Sequence, residues 1–250
     1  MKSIIVFAAL LFSTHLLSQD VNTIFKDAVN LEKSLKENDA YEKYKAIIVI
    51  EPNNLKALVK CSELTAGIGG RQTDKKIKMN WLDLSRNYAE KSLAVDSTNV
   101  EANYVRALVA SKYAEAETEN KKLALYLKEM KQYADKAVAL NPENGKANYI
   151  AGKWHYDMVI MPWTKKAALK VLIGGIPPDN IDSAYIHLEK CRKAEPYFVS
   201  GFYILAKAYK FDEKPAKAIE VLNQLVKLPT RTIDDIALKA EGKTILSEMQ

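Results

Sequence analysis

The sequence is divided at regular intervals by short segments that stop helices. The five stops are EPNN (51–54), DSTN (96–99), NPEN (141–144), EPYF (195–198) and LPTR (228–231). Each follows an apolar, helix-forming stretch and puts proline or small polar residues where the helix should end. Counted from Pro52 through Ser97, Pro142 and Pro196 to Pro229, the stops lie 45, 45, 54 and 33 residues apart. Periods of this length are typical of solenoids built from helix pairs.

The segments between the stops have a helical pattern. Apolar residues recur three and four positions apart, as in FKDAVNLEKSL and LYLKEMKQYADKAVAL, which is the spacing of an amphipathic helix. No segment beyond the first twenty residues alternates convincingly with the period of two that a strand requires. We therefore predict an all-α fold, a solenoid of antiparallel helix pairs.

One phrase recurs after three of the stops: EANYVRALVAS (101–111), KANYIAGKWHY (146–156) and GFYILAKAYKF (201–211). The last of these, with KPAKAIEVLNQLVKLP after it, resembles a tetratricopeptide repeat. Residues at that motif's signature positions are Leu205, Ala206, Tyr209, Ala218 and Leu222. Residues 21–54 fit the same 34-residue frame. The resemblance implies a single tetratricopeptide-like domain over residues 19–250.

The 45-residue periods imply extra residues within the middle repeats. GIGGRQTDKK at 67–76 has the glycines and charges of a loop, whereas AEAETENKK at 114–122 suits either a loop or a longer helix. The longest interruption covers 151–180, and we predict an inserted helix near 163–173 within it.

Proline and capping residues bound this inserted helix. Pro162 ends the helix before it, because proline lacks the amide donor and clashes with the preceding turn. Asp179 or Asn180 caps the helix that follows. We expect Trp154, Trp163 and Leu172 to pack the inserted helix against the array.

The interruption and the segments after it resemble the regulator of microtubule dynamics family. In that family a G-(R/K)-W helix precedes a tryptophan beside basic residues, a helix and loop ending in two prolines, and an A–E–P helix. The matching positions, which we expect to be mainly structural, include Gly152, Trp154, Trp163, Lys165, Lys166, Pro177, Pro178 and Pro196. The match covers about residues 80–245 and implies a tetratricopeptide-like domain to which no catalytic activity is assigned.

The first eighteen residues read as an export signal. Lys2 supplies a positive start, residues 4–12 are apolar, and Ser18 offers a small residue for cleavage ahead of Gln19. The apolar stretch is shorter than the roughly 20 residues that span a bilayer. We therefore expect a periplasmic or secreted mature protein without a transmembrane segment. Such a protein would meet no microtubules, so we carry over the family's fold and not its named function.

The first helix of each pair lines the concave surface in tetratricopeptide arrays, and the recurring phrase places tyrosine and lysine there. Tyr104, Tyr149 and Tyr203 align, and Lys153 and Lys207 follow one helical turn later. The candidate binding residues are Tyr104, Tyr149, Lys153, Tyr156, Tyr203, Lys207 and Lys210. Tyrosine supplies contact area and a hydrogen bond, and lysine attracts carboxylates or phosphates. The groove would suit an acidic peptide or an anionic lipid headgroup. Alternatively, the tyrosines pack against the next helix pair and the lysines only keep the protein soluble.

The sequence holds little catalytic chemistry. It has no HExxH, GxSxG or glycine-rich phosphate loop, and His155, His187 and Cys191 are too few and too scattered to indicate zinc. The net charge of +6 comes from lysines interspersed with glutamates, a pattern typical of solvated helix faces rather than of a nucleic-acid groove. We expect Cys61 and Cys191 to be buried free thiols. These observations predict no catalytic activity, no cofactor or metal site and no nucleic-acid partner.

Three functions remain open. The first is a scaffold that binds a protein or peptide partner in its concave groove. The second is a carrier of a lipid-like or apolar anionic ligand, with the Trp163 helix as a flap over the groove. The third is a structural subunit of an envelope assembly. A polar, lysine-lined groove favours the first, a continuous apolar groove the second, and apolar uncapped ends the third.

Overall fold

The computed structural model describes residues 21–173 and 180–250, and within these ranges every regular element is an α-helix. This confirms the predicted all-α fold. The helices are α1 (21–33), α2 (Glu37–Ile50), α3 (Leu55–Gly70), α4 (Lys75–Val95), α5 (Val100–Ala116), α6 (Asn120–Leu140), α7 (Gly145–Ile160), α8 (Trp163–Ile173), α9 (Ile181–Ala194), α10 (Val199–Phe211), α11 (Pro215–Leu225) and α12 (Ile233–Glu248).

The helices form consecutive antiparallel pairs. The pairs are α1 with α2, α3 with α4, α5 with α6, α7 with α9 and α10 with α11, and α12 packs on the last pair. The first helices of successive pairs also lie side by side, in the order α3, α5, α7, α10 and α12. This arrangement is the predicted tetratricopeptide-like solenoid, with the inserted helix α8 between the two members of the fourth pair.

An asparagine at the end of each of the first three stops begins the next helix. Asn54, Asn99 and Asn144 each accept a hydrogen bond from the backbone amide three residues later, at 2.8–3.0 Å. Such a cap satisfies one of the amides that a helix leaves unpaired at its start. The 45-residue spacing of the stops is therefore the spacing of three equivalent helix starts.

The long periods come from long helices. The prediction of a loop at 67–76 is wrong, because α3 continues to Gly70 and α4 begins at Lys75. The segment 114–122 is likewise mostly helical, which is the second of the two alternatives that its composition allowed. Both middle repeats thus add residues by extending their helices, and each keeps a short turn.

Small residues let the paired helices approach closely. A Cβ on Gly152 of α7 would stand 2.7 Å from Leu188 Cγ and 3.2 Å from the Ala184 carbonyl oxygen of α9. A Cβ on Gly69 of α3 would stand 2.9 Å from the Cβ of Trp81 on α4. Ala184 and Leu188 are fully buried, so the fourth pair is held together where its backbones come nearest.

The inserted helix α8 lies at the position predicted from the sequence, but its packing contacts differ from those predicted. It lies on α6, and Leu169 is its fully buried contact. Trp163, Val171 and Leu172 are 78%, 84% and 48% exposed. The expectation that Trp163 and Leu172 pack this helix is therefore wrong. The reason is that α8 carries apolar residues on two faces, and Leu169 lies on the face turned to the array.

Several single-residue predictions can be compared with the structure. Cys61 and Cys191 are confirmed as buried and unpaired, and burial raises the pKa of both thiols to about 12. Asn180 caps α9 by accepting from the Asp182 amide. The predicted signal (1–18), Pro177, Pro178 and Asp179 lie outside the described residues. None of the described helices is both long and apolar enough to cross a membrane.

We predict that Gly152→Ala destabilises the protein. Overpacking between α7 and α9 should cost about 2–3 kcal/mol, the upper part of the usual range, because the added Cβ meets a backbone oxygen as well as Leu188. This cost exceeds the gain of about 1 kcal/mol that alanine has over glycine in a helix. Gly70→Ala is the matched control, because its Cβ would meet only the Lys112 side chain at 3.5 Å. Urea denaturation should show a lower free energy of unfolding for Gly152→Ala alone. Equal stability of the two variants would contradict the close approach.

Candidate functional site: the inner face of the array

The inner face is the surface formed by the first helices of the pairs, α3, α5, α7 and α10, together with α12. It carries all seven residues that the sequence identified as candidate binding residues. Tyr104 lies on α5, Tyr149, Lys153 and Tyr156 on α7, and Tyr203, Lys207 and Lys210 on α10. The solenoid therefore brings side chains that are about 100 residues apart in the chain onto one surface.

The four tyrosines of this set form the floor of the inner face. Tyr104, Tyr149, Tyr156 and Tyr203 are all buried. Burial raises the pKa of each phenol, and that of Tyr156 to about 12. These hydroxyls therefore stay protonated throughout the range in which proteins function.

Three of the tyrosines contact the next helix pair along the array. Lys146 of α7 lies over the Tyr104 ring, 5.4 Å from its centroid. Tyr149 meets Phe198, just before α10, edge to face at 4.9 Å. Tyr203 donates its hydroxyl hydrogen bond to Glu241 of α12. These are the contacts expected if the tyrosines join successive repeats, and that these residues bind a partner stays a prediction.

The lysines of the set each have a carboxylate of this chain nearby. Lys153 pairs with Asp157 and, at 3.2 Å, with Glu115. Lys207 lies 3.9 Å from Glu241, and it also donates to the Tyr203 hydroxyl at 3.2 Å. Lys210 lies 3.2 Å from Glu248. The positive row predicted from sequence is therefore a row of ion pairs.

Lys153, which is paired with Asp157 and Glu115, is the most deeply buried of these three lysines. Burial of the Lys153 ammonium opposes its charge, but Asp157 and Glu115 outweigh that cost and raise its pKa. Burial likewise opposes ionisation of Glu115, but Lys112 and Lys153 lower its pKa to about 2. For Asp157 burial prevails and raises the pKa despite Lys153. The ammonium and carboxylate groups of this cluster therefore stabilise one another, because burial partly separates them from water.

Two groups of ion pairs join side chains that lie on different helices of the array. Lys146 of α7 pairs with Glu63 of α3, which also receives Lys60 at 3.7 Å. Burial opposes the charge of Glu63, and these two lysines nevertheless lower its pKa. These contacts pass over α5 and cover Tyr104.

The second group of ion pairs joins α2 and α3 to the last described helix, α12. Arg71, at the end of α3, pairs with Glu37 of α2 and with Asp234 in the first turn of α12. Residues 163 positions apart are therefore in contact. The sequence contained a local signal for Asp157, which lies four residues after Lys153, but none for Glu63, Glu115 or Asp234.

The other family-motif residues that the structure describes differ in their burial and contacts. Trp154 is buried and donates from Nε1 to the Leu127 carbonyl of α6 at 3.0 Å. Lys166 donates to the Val159 carbonyl at 3.3 Å, Lys165 is half-buried, and Pro196 lies in the turn before α10. Among the described residues no group of three or more histidine, cysteine, aspartate or glutamate side chains is arranged to hold a metal ion.

Substitution of a floor tyrosine should show how far it supports the array. We predict that Tyr149→Ala lowers the free energy of unfolding by about 3–5 kcal/mol, the usual cost of removing a buried aromatic ring. The matched control is Tyr197→Ala, because half of that side chain is exposed. This substitution should lower the free energy of unfolding by only about 0.5 kcal/mol. A stable Tyr149→Ala protein that has lost a ligand would instead assign this tyrosine to binding.

Comparison with solved structures shows the same fold. A thermophilic TPR protein of Thermus thermophilus is similar with a TM-score of 0.64 and 12% identity, covering 91% of this chain and 99% of its own. PilW, a widely conserved type IV pilus biogenesis factor, is similar with a TM-score of 0.54 and 16% identity, covering 92% and 90%. At these identities the likeness concerns the fold alone. No curated protein matched the sequence.

The comparison with protein families gives a longer match. The family described as "Regulator of microtubule dynamics protein 1-3" matches residues 24–250, which is nearly the whole of the described chain. The match includes the Gly152–Trp154 helix, the inserted helix α8 and the C-terminal helix α12. The chain belongs to the regulator of microtubule dynamics protein 1-3 family.

Proposed function

We propose that this chain is a non-enzymatic scaffold that binds an acidic segment of a partner protein along its inner face. The observation that supports this proposal is the row of half-exposed lysines above a buried tyrosine floor. Tetratricopeptide-like solenoids present an extended concave surface of this kind because each repeat adds one helix to it.

The lysines differ in how readily they could exchange partners. The side chains of Lys146, Lys207 and Lys210 are 27%, 34% and 43% exposed. Exposed ion pairs contribute about 0–1 kcal/mol each, so a carboxylate of a partner could replace Glu241 or Glu248 at little cost, whereas Lys146 would keep the more buried Glu63 as its partner. Lys153 is almost fully buried and would keep its own partners.

The tyrosine floor would keep the binding surface in shape. Tyr104, Tyr149 and Tyr203 each contact the next helix pair, so the spacing between successive lysines is fixed by the core. A rigid row of charges costs little conformational entropy when a partner binds. Specificity would follow from the spacing of acidic residues in the partner segment.

A fluorescent deca-glutamate peptide is a suitable probe of the inner face. We predict salt-sensitive binding in fluorescence anisotropy, because opposite charges attract less as ionic strength rises. Lys207→Gln and Lys210→Gln should each weaken the affinity by about two- to fivefold, the value of one partly exposed ion pair.

The matched control is Lys45→Gln, which removes an ion-paired lysine from α2, a second helix. Its affinity for the peptide should equal that of the unchanged protein. The proposal is wrong if all three variants bind the peptide equally well. Thermal unfolding of each variant excludes loss of the fold as the cause.

A second candidate function is supported by α8. Its outward side chains Trp163 and Val171 are exposed and apolar, and Lys165 and Lys166 lie on the same helix. We propose as the alternative that this helix covers a lipid-like anionic ligand. Native mass spectrometry of protein purified gently from its host distinguishes the two: a bound lipid-sized mass supports the carrier, and its absence supports the scaffold.

We also propose that the protein is exported. Lys2, the apolar residues 4–12 and Ser18 support this proposal. We predict that the protein isolated from its host lacks residues 1–18 and begins at Gln19, which intact-mass measurement and N-terminal sequencing would show. Recovery of the full-length chain from the cytoplasm would contradict export.

A further inference from the structure

A second surface of the array, on the opposite side from the inner face, has the composition of a ligand site. A cleft of about 380 Å³ lies between α4 and α6, the second helices of two successive pairs. Its lining includes Arg86 of α4, with Lys128, Glu129, Tyr126 and Tyr133 of α6. This volume is within the range of sites for small ligands.

Two arginines share the carboxylate at the base of this cleft. Arg86 donates from Nη2 to Glu129 Oε2 at 2.8 Å, and Arg106 of α5 donates to the other oxygen of the same carboxylate. The exposed carboxylate of Glu90 lies 3.6 Å from Arg106 and 3.9 Å from Arg86. The Glu129 carboxylate thus accepts a hydrogen bond from each of the two guanidinium groups.

The two guanidinium groups retain unused donors. Arg106 is 5% exposed, and its buried Nη1 has no hydrogen-bond partner in the described chain, as is also true of the buried Nε of Arg86. Buried donors are almost always satisfied in folded proteins. These donors remain unpartnered after Glu129 has accepted a hydrogen bond from each guanidinium group.

Lysines extend this positive charge to the rim. Lys128 is exposed and lines the cleft, and no carboxylate of the described residues forms an ion pair with it. Lys122, also at the rim, is paired with Glu119 at 2.9 Å. The unpaired ammonium of Lys128 is therefore available to a ligand.

Aromatic and apolar groups form the walls. Tyr126 stacks on Tyr113 with ring centroids 4.8 Å apart, and Arg86 lies 4.7 Å from the centroid of the Tyr113 ring. Arg106 lies over Tyr133 at 5.4 Å. Leu125 completes the lining and is more than half exposed. The tyrosines keep the guanidinium groups in place, and Leu125 offers contact to an apolar group.

We propose that this cleft binds a small organic oxyanion, a phosphate or carboxylate carried on a planar or apolar stem. The oxyanion would lie between Arg86 and Lys128, because arginine and lysine are the side chains that bind such groups. The stem would lie along Leu125 and Tyr126. This site is independent of the acidic partner segment proposed for the inner face.

Phenyl phosphate is the probe, measured by isothermal titration calorimetry at low ionic strength, with inorganic phosphate in parallel. We expect saturable binding of phenyl phosphate in the millimolar range or tighter. Lys128→Gln should weaken the binding of both probes by about threefold, the value of one exposed ion pair. Leu125→Ser should weaken phenyl phosphate alone, because inorganic phosphate has no stem.

The chain offers matched controls for both variants. Lys121→Gln removes an exposed lysine of the same helix outside the cleft lining, and Ile186→Ser removes an exposed apolar side chain from α9. Both should bind phenyl phosphate like the unchanged protein. Arg86→Lys keeps the charge but not the planar donor array, and it should weaken binding more than Lys128→Gln.

Two outcomes would overturn the proposal. The first is the absence of saturable phenyl phosphate binding below about 10 mM. The second is equal affinity in Lys128→Gln and Lys121→Gln, which would place any bound anion elsewhere. Deca-glutamate binding by Lys128→Gln separates this site from the inner face, since it should stay unchanged whether or not the cleft binds an oxyanion.

Discussion

Within the second and fourth helix pairs the two backbones approach closely where Gly69 and Gly152 face the partner helix. At Gly152 there is no room for even one more carbon atom beside Leu188. This approach sets the distance between the members of a pair, and it leaves the first helices to meet one another side by side. Their tyrosines then fill the space between repeats, so the floor of the inner face depends on the packing within the pairs. Interiors packed to this density respond to added volume by shifting or losing stability.

Charge is distributed differently on the two sides of the array. On the inner face the lysines Lys146, Lys153, Lys207 and Lys210 all have carboxylates of the same chain beside them. A partner would have to exchange with existing ion pairs there, which favours a long acidic segment over a small anion. In the cleft between α4 and α6 the cations outnumber the carboxylates that hold them, and the space is small. That combination favours a compact oxyanion.

The inserted helix α8 distinguishes this chain from a plain tetratricopeptide array. Its buried anchor, Leu169, holds it on α6, while Trp163 and Val171 face outward. The family match over residues 24–250 includes this helix. These two exposed apolar side chains are where a lipid-like ligand of the second candidate function would contact the helix.

The sequence by itself determined the local features: the class of fold, the helix starts at 45-residue intervals, the position of α8 and the burial of Trp154 and both cysteines. These depend on periodicity, capping chemistry and hydrophobicity, which act over a few residues. It failed where a helix had two apolar faces, as in α8, and where Gly69 allowed close packing within a helix instead of forming a loop. Only the tertiary structure decided which carboxylates meet the lysines, that Arg71 joins α2 to α12, and that Arg86 and Arg106 share Glu129. Such contacts join residues up to 163 positions apart, and their partners are selected by the superhelical path of the whole array, for which no local pattern in the chain is a signal.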